Sequence, residues 1–453
     1  METLTAQKMT HYRWTICALV FFATTVNYLD RNVLGLLKTT LSEIGMFGED
    51  KANQELYYSY VIMSFQIAYA VGMLGVGRII DKVGTKRGYG IALLGWSFAA
   101  IGHAFAKTTL GFGFWRAALG VTESGNFPAA NKTMAIWFPK KERALATGIY
   151  NSGTNIGAII APLTVPYIAV SMGWEWAFIL TGAVGLIWLA FWYLTYKSPN
   201  QKLKDGKLSQ AEFDYIHSDN DEAIVADDTL QKVSWLQLLR YRQTWAFFFG
   251  KFLTDPIWWF FLFWLPAFLE GENARHLAAG QGDKVIEWPF AVAVVYTVST
   301  IGSILGGWLP KRLINGGMDA NRARKTAMFI YALFPLSVLF ASRLGEINTW
   351  FAVAMIAIAC AAHQAWSANI FTTVSDMFPK KAVASVTGIG GMSGGFGGIL
   401  IAWSAGLLLK HFTQLGQIEK GYGILFVVCA LAYLVAWFVM HLFVPRFKKI
   451  TDL

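Results

Sequence analysis

Apolar runs long enough to cross a bilayer recur along almost the whole chain of 453 residues, with short polar segments between them. A membrane-spanning helix needs about 20 mainly apolar residues. Runs of this kind cover approximately residues 14–38, 57–79, 88–106, 109–131, 143–169, 174–196, 243–269, 287–310, 325–342, 347–373, 381–409 and 421–444. The sequence lacks the alternating pattern of a transmembrane barrel. It therefore predicts an all-α polytopic membrane protein with twelve transmembrane helices.

The longest polar segment, residues 197–242, separates a first half, residues 1–196, from a second half, residues 243–453. The sequence FPKKERALATGI at 138–149 recurs as FPKKAVASVTGI at 378–389, and both copies join the fourth run of a half to the fifth. This placement favours duplication of a six-helix bundle. Parallel repeats of this type are an arrangement of transporters, whose substrate site lies near the membrane midplane between the halves.

Composition supports a membrane protein and excludes other classes. The chain is 55% hydrophobic and 15% charged, whereas a soluble protein has roughly a quarter charged residues. The net charge of +10 comes from basic residues in short loops. The positive-inside rule then places both termini and residues 197–242 in the cytoplasm, which argues against nucleic-acid binding. We expect no cofactor and no metal, and the absence of a nucleophile–base or metal-ligand motif predicts that the protein is not an enzyme.

The sequence GRIIDKVGTKR at 77–87 is similar to the signature loop of the major facilitator superfamily, and the resemblance covers the whole chain. A generic basic loop would explain the charges but not the spacing of the glycines and the acid. The resemblance implies a fold of two pseudo-symmetric six-helix bundles. The matching positions are Gly77, Asp81, Lys82, Gly84 and Arg87.

Four charges are expected inside the membrane: Asp30, Arg31, Arg116 and Glu123. Adjacent residues lie about 100° apart on a helix, so Asp30 and Arg31 do not face each other. A rise of about 1.5 Å per residue puts Asp30, Arg31 and Arg116 at similar depths and Glu123 deeper. We expect Asp30 to pair with Arg116, which leaves Arg31 free in the cavity.

A free arginine in the membrane can bind a carboxylate through two hydrogen bonds. A carboxyl group in the membrane can carry a proton. Together these groups predict symport of an organic anion with protons. The alternative is that the charges form structural ion pairs that lock helices together.

The sequence YLDRN at 28–32, with Arg116, Gly120, Glu123 and Pro128 in the fourth run, resembles the anion:cation symporter family. The segments at 242–266 and 361–379 resemble the corresponding segments of bacterial hexuronate transporters. The resemblance implies that Asp30 and Glu123 are proton-coupling acids. It also implies that Arg31 binds the substrate carboxylate and that Tyr28 and Tyr69 line the cavity. We include Arg116 with the proton-coupling residues and Asn126 with the substrate-binding residues.

The tenth run carries amides and aromatic rings that suit a polyhydroxylated sugar: His363, Gln364, Trp366 and Asn369. We therefore expect the first half to couple protons and bind the carboxylate, and the second half to recognise the sugar. The alternative for His363 is an ordinary interhelical hydrogen bond. Lys251 and Asp255 are four residues apart and are expected to pair with each other.

The sequence predicts a proton-coupled symporter that imports a hexuronate, such as glucuronate or galacturonate, or a related sugar acid by alternating access. The alternative is a symporter or exchanger of another carboxylate: an aldonate, glucarate, sialic acid or an aromatic acid. We expect a monomer in the plasma (inner) membrane, with a small organic anion, protons and lipid as its partners.

Overall fold

The computed structural model describes residues 9–218, 235–378, 380–448 and 450. Twelve helical segments connect its two faces, as predicted, and no β-strand occurs within those ranges. The segments are α1 (Tyr12–Leu36), α2 (Lys51–Val83), α3 (Thr85–Gly102), α4 (Thr109–Glu123 and Asn126–Trp137), α5 (Lys140–Met172), α6 (Trp174–Thr195), α7 (Arg242–Ala278), α8 (Trp288–Asn315), α9 (Ala320–Leu333, with a 3₁₀ turn Phe334–Phe340 and then Ala341–Gly345), α10 (Thr349–Met377), α11 (Lys380–Gln414) and α12 (Ile418–Phe443).

Among the described residues, nine helical segments are long and apolar enough to cross a membrane. The other three of the twelve segments are α1, α2 and α4. The interior of α1 contains Asn27, Asp30 and Arg31, and α4 is interrupted between Glu123 and Asn126. The polar content of these helices marks the first half as the chemically specialised part of the membrane region.

Both ends of the described chain lie on one face of the molecule, which we call the terminal face. Arg13 at the start of α1 forms ion pairs with Glu142 at the start of α5 and with Glu212. The backbone N–H of Ile450 donates to the carbonyl of Met377 at the end of α10. We call the other side of the molecule the opposite face.

The segment between the halves contains short helices at Pro199–Lys204, Gln210–Ile216 and Trp235–Leu238. Ser209 caps the second of them, because its hydroxyl accepts the backbone N–H of Glu212 at 3.2 Å. The Glu212 carboxylate also accepts from the backbone N–H groups of Tyr12 and Arg13. Burial raises the pKa of Glu212, but these hydrogen bonds and those from the side chains of Thr10 and Arg13 outweigh it, so the pKa is lowered overall.

The two halves touch closely near the opposite face. A Cβ atom at Gly35 in α1 would lie 2.9 Å from the carbonyl oxygen of Leu262 in α7, so only glycine allows this approach. The hydroxyl of Tyr58 in α2 donates to the carbonyl of Phe263 in α7 at 2.8 Å. Gly406 in α11 likewise leaves room for Ser59 in α2. These contacts close the opposite-face end of the boundary between the halves.

Candidate functional site

The four charges predicted inside the membrane all lie in the interior of the first half. Asp30 and Arg31 are 2% and 1% exposed, and Arg116 and Glu123 are both 0% exposed. Glycine packing brings their helices together, because a Cβ atom at Gly120 in α4 would lie 2.4 Å from a backbone carbonyl of α2. Charges buried this completely need partners or a function.

Arg31 pairs with Glu123, and this arrangement differs from the prediction. Its Nη2 lies 2.7 Å and its Nε 2.9 Å from the same oxygen, Oε2 of Glu123. The expectations that Arg31 is free and that Asp30 pairs with Arg116 are therefore wrong. The Cα atom of Glu123 lies deeper along its helix than that of Arg31, but the long arginine side chain spans this offset.

Arg116 has little hydrogen bonding for a buried guanidinium. Its Nη2 donates to the Arg31 carbonyl at 3.4 Å, and within the described chain its Nε and Nη1 have no hydrogen-bond partner. The guanidinium lies over the rings of Phe65 and Phe263, 4.9 and 5.6 Å from their centroids. Cation–π contact with these rings offsets part of the cost of its burial.

Asp30 is the least satisfied group in the site. Neither carboxyl oxygen has a hydrogen-bond partner among the described residues. The Thr181 hydroxyl in α6 lies beside it, and the charge of Glu123 acts on it. A buried acid without a partner inside a membrane helix marks a functional position, so Asp30 is a candidate for proton binding.

Four aromatic rings surround the Arg31 guanidinium. The rings of Tyr28, Phe65, Tyr69 and Trp259 lie 4.8, 5.1, 5.1 and 5.2 Å from its central carbon. The structure therefore brings Tyr28 and Tyr69 to the predicted carboxylate-binding residue. Phe65 was missed, although its i,i+4 spacing from Tyr69 places both rings on one face of α2. Trp259 comes from α7, so the second half also contacts this group.

Asn126 lies at the start of the second piece of α4 and is fully buried. Its side-chain oxygen accepts the hydroxyl of Tyr89 at 2.7 Å. This bond ties α4 to α3 on the terminal-face side of Glu123. Substrate binding by Asn126 stays a prediction.

Three of the four predicted sugar-binding residues in α10 pack against neighbouring helices. The Nδ1 atom of His363 lies 2.7 Å from the Tyr433 hydroxyl, and its ring stacks on Trp258. Trp366 is fully buried. The amide of Asn369 donates to the carbonyl of Gly306 in α8 at 2.6 Å. Their role in sugar binding, and that of the partly buried Gln364, stays a prediction.

A cavity of about 320 Å³ opens between α8, α9 and α10. Asn369 lines it together with Lys311, Arg324 and Thr372. Arg324 is occupied, since its Nε lies 2.6 Å from Asp376. Asn369 thus borders open space on the terminal-face side of the second half, away from the charges of the first half.

Lys251 and Asp255 in α7 form the predicted i,i+4 ion pair, with Nζ and Oδ2 2.7 Å apart. α11 passes directly beside this pair, since a Cβ atom at Gly394 would collide with the Asp255 carboxylate. The Lys251 ammonium also lies over the ring of Phe371, 4.3 Å from its centroid. Both members of this buried pair therefore have an ionic partner, unlike Asp30 and Arg116 in the first half.

The predicted signature loop joins α2 to α3 on the terminal face. Gly84 ends α2 with a φ of +83°, a backbone conformation that favours glycine. Lys82 and Arg87 are exposed. The side chains at Gly77 and Asp81 lie outside the described part of the structure. Groups of His, Cys, Asp and Glu that could hold a metal ion are also absent from the described residues.

Twelve membrane helices, an internal repeat and a buried charge cluster define a membrane transporter. The family model of the Major Facilitator Superfamily matches residues 20–402. The chain therefore belongs to this superfamily of transporters, and it is not an enzyme.

Relatives agree with this assignment. The chain is 32% identical to the hexuronate transporter of Escherichia coli K12 over 96% of this chain and 95% of that one. It is 29% identical to a D-galactonate transporter of Escherichia coli O6:H1, over 90% and 91% of the two chains. The fold is similar to the inward-open xylose transporter XylE of E. coli, with a TM-score of 0.74, 14% identity and coverage of 97% and 98%.

Proposed function

We propose that the protein is a proton-coupled symporter that imports a sugar acid, with a hexuronate such as glucuronate or galacturonate as the preferred substrate. The observation that carries this proposal is the buried Arg31–Glu123 ion pair with the unpartnered Asp30 beside it. Arg31 supplies a carboxylate-binding group, and the two acids supply proton-binding groups. Symport by alternating access then requires that binding of the substrate changes the affinity for the proton, and that binding of the proton changes the affinity for the substrate.

Charge balance gives the coupling a physical basis. With all four groups ionised, Asp30, Arg31, Arg116 and Glu123 carry a formal charge of zero. A substrate carboxylate that binds Arg31 must displace Glu123 and would leave an extra negative charge in a buried site. A proton on Glu123 removes this penalty and frees Arg31 at the same time. Substrate and proton therefore favour each other's binding, and the linkage is reciprocal.

Asp30 is a second proton-binding group in this scheme. Its carboxyl group interacts with Glu123, so protonation of either acid reduces the repulsion felt by the other. Arg116, held over Phe65 and Phe263, acts on Glu123 with its positive charge. We assign it to the coupling machinery because it forms no ion pair of its own among the described residues.

The rings of Tyr28 and Tyr69 bracket the carboxylate-binding arginine and have hydroxyls that can bind sugar hydroxyls. Asn126 lies in the same half. We assign sugar recognition to the second half, residues 243–453, through His363, Gln364, Trp366 and Asn369. The first half, residues 1–196, and the second half move relative to each other, joined by residues 197–242. Trp259, which contacts Arg31 from α7, supports a site between the halves.

The relatives support the substrate class, since they include transporters of hexuronate, galacturonate and galactonate and a probable transporter of galactarate or glucarate. The relative at 29% identity is a galactonate transporter, so an aldonate is the second candidate substrate. Sialic acid and aromatic acids are further candidates on the basis of the carboxylate site alone.

The test is uptake of radiolabelled D-glucuronate by proteoliposomes that contain the purified protein. We expect accumulation above equilibrium when an inward proton gradient is imposed, and only equilibration without it. Unlabelled galacturonate, galactonate, glucarate and N-acetylneuraminate then compete for uptake, which ranks the substrates. Electroneutral exchange that ignores the gradient would contradict symport.

We further propose that the protein lies in the plasma (inner) membrane as a monomer, with the terminal face in the cytoplasm. Basic loops such as residues 82–87 lie on this face, as the positive-inside rule requires of a cytoplasmic side. A cysteine placed at Lys107, between α3 and α4, should react with an impermeant maleimide from outside intact cells. A cysteine at Lys204 should react only after permeabilisation.

A further inference from the structure

Unpartnered buried polar atoms extend beyond the charge cluster to His103. This histidine is 0% exposed, and its Nε2 has no hydrogen-bond partner among the described residues. The same holds for both carboxyl oxygens of Asp30 and for Nε and Nη1 of Arg116. Each such group is destabilising unless a water satisfies it. Together these atoms form a set of buried polar groups of the first half that can accept or donate a further hydrogen bond.

His103 packs against residues that lie one helical turn before Arg116 in α4 and before Thr181 in α6. Its ring stacks on Phe178 of α6, with centroids 5.0 Å apart and an angle of 8° between the planes. The edge of Phe112 of α4 contacts it at 5.5 Å. Phe112 lies four residues before Arg116 and Phe178 lies three before Thr181, so each pair shares a helix face. Thr181 in turn adjoins Asp30.

The ring lies between the charge cluster and the opposite face. α4 and α6 both begin at the opposite face, so Phe112 and Phe178 are nearer to that face than Arg116 and Thr181. His103 itself begins the 3₁₀ turn that ends α3. Phe105 in this turn is 71% exposed, and the exposed Lys107 follows. A proton entering from the opposite face therefore meets His103 before it meets Asp30.

The tautomer of the ring follows from its backbone contact. Nδ1 lies 2.7 Å from the carbonyl oxygen of Ala99. Because a carbonyl only accepts, Nδ1 carries the hydrogen, and in the neutral ring Nε2 is an acceptor. The free nitrogen can therefore take up a proton while the other stays hydrogen-bonded to α3.

We propose that His103 relays protons between the opposite face and Asp30. Nε2 accepts a proton from a water on the opposite-face side and becomes imidazolium. It then passes that proton through water to the Asp30 carboxylate and returns to the neutral ring, and no other bond changes. The charged group that acts on the ring is Arg116 from α4. α6 contributes Phe178 and Thr181, and Thr181 adjoins Asp30 of α1.

Asp30 is the end of this relay because the proton neutralises its carboxylate. The relay rests on the proposed function, because it serves proton-coupled transport.

The test compares wild type, His103→Gln and Phe178→Leu, each as the full chain in proteoliposomes with radiolabelled D-glucuronate. Glutamine keeps a polar side chain but does not titrate. The Phe178 variant disturbs the stacking and keeps the imidazole. Two assays are run: counterflow exchange at equal pH, and accumulation driven by an inward proton gradient. For His103→Gln we expect counterflow within about twofold of wild type and gradient-driven accumulation reduced by about tenfold or more.

For Phe178→Leu we expect both activities to fall by the same factor. If His103→Gln accumulates substrate as wild type does, the relay is overturned while symport stands. If His103→Gln loses counterflow and accumulation equally, the residue is structural and the relay is likewise overturned. If wild-type uptake ignores the gradient, the proposed function itself fails.

Discussion

The two halves of this transporter share a scaffold but differ in how their buried charged groups are paired. In the second half, Lys251 pairs with Asp255 at 2.7 Å, and His363 bonds to Tyr433 at the same distance. In the first half, Asp30 and most of Arg116 lack partners among the described residues. Satisfied polar groups stabilise one packed arrangement, whereas unsatisfied ones leave room for a proton or a ligand to change the balance.

The largest contrast is expected from breaking one ion pair in each half. Arg31→Met leaves Glu123 buried without its partner and removes the proposed carboxylate-binding group. We expect D-glucuronate uptake to fall by about a hundredfold or more, together with a loss of about 3–5 kcal/mol of stability. Uptake in proteoliposomes and thermal unfolding in detergent measure the two effects.

Lys251→Met is the matched control in the second half. It should also lower thermal stability. The ratio of gradient-driven accumulation to exchange should stay as in wild type. Loss of coupling in Lys251→Met equal to that in Arg31→Met would show that the two halves do not differ in the way proposed.

Asp30→Asn is expected to separate transport from coupling. Asparagine has nearly the same shape but cannot carry the proton, so exchange of D-glucuronate should stay within about threefold of wild type while gradient-driven accumulation drops by about tenfold or more. The ratio of the two rates, measured over a range of external pH, gives the result. An unchanged ratio would remove Asp30 from the coupling machinery.

A smaller effect is expected from Tyr433→Phe, which deletes the hydroxyl bonded to His363. Losing one buried hydrogen bond costs about 1 kcal/mol, which corresponds to about a fivefold change in KM if His363 contacts the sugar. The coupling ratio should stay that of wild type. A KM unchanged for every sugar acid tested would return His363 to a purely structural role.

The smallest effect concerns the linker helix Gln210–Ile216, which is held by Glu212. Since the pKa of Glu212 is lowered from its usual value of 4.5, the folded contact is fully stabilising above that pH and is lost as the pH falls through the lowered pKa. Protection of this helix from hydrogen exchange, relative to the intrinsic rate at each pH, should therefore be high at pH 6 and decrease only below about pH 4.5. Glu212→Gln should exchange faster at pH 6, with little change in transport.

Hydrophobic pattern and repeat were sufficient to predict the fold, because the bilayer restricts a spanning chain to helices of fixed minimum length. The buried charges were predicted for the same reason: charge inside such a helix is rare and conspicuous. The pair Lys251–Asp255 was predicted correctly because i,i+4 geometry lies within one helix. These features depend only on local spacing and the solvent.

Pairing between helices could not be predicted in this way. Arg31 pairs with Glu123, and Asp30 does not pair with Arg116. Side-chain length and helix packing decide these partners. Trp259 contacts Arg31 from the other half, and no spacing in the sequence relates positions so far apart. Interhelical partners depend on the close approach of helices at residues such as Gly120, which only three-dimensional packing reveals.

The Tyr58–Phe263 hydrogen bond lies where the two halves meet at the opposite face. Each cycle of the proposed alternating access would break it and separate Gly35 from the backbone of α7. A contact of this kind suits repeated opening, since a hydroxyl-to-carbonyl bond is worth only about 1 kcal/mol, and glycine leaves no interlocked side chain behind. A bulkier residue at position 35 would keep α1 and α7 apart, so the opposite-face end of the boundary between the halves would stay open. The protein would then bind its substrate from the opposite face without releasing it at the terminal face.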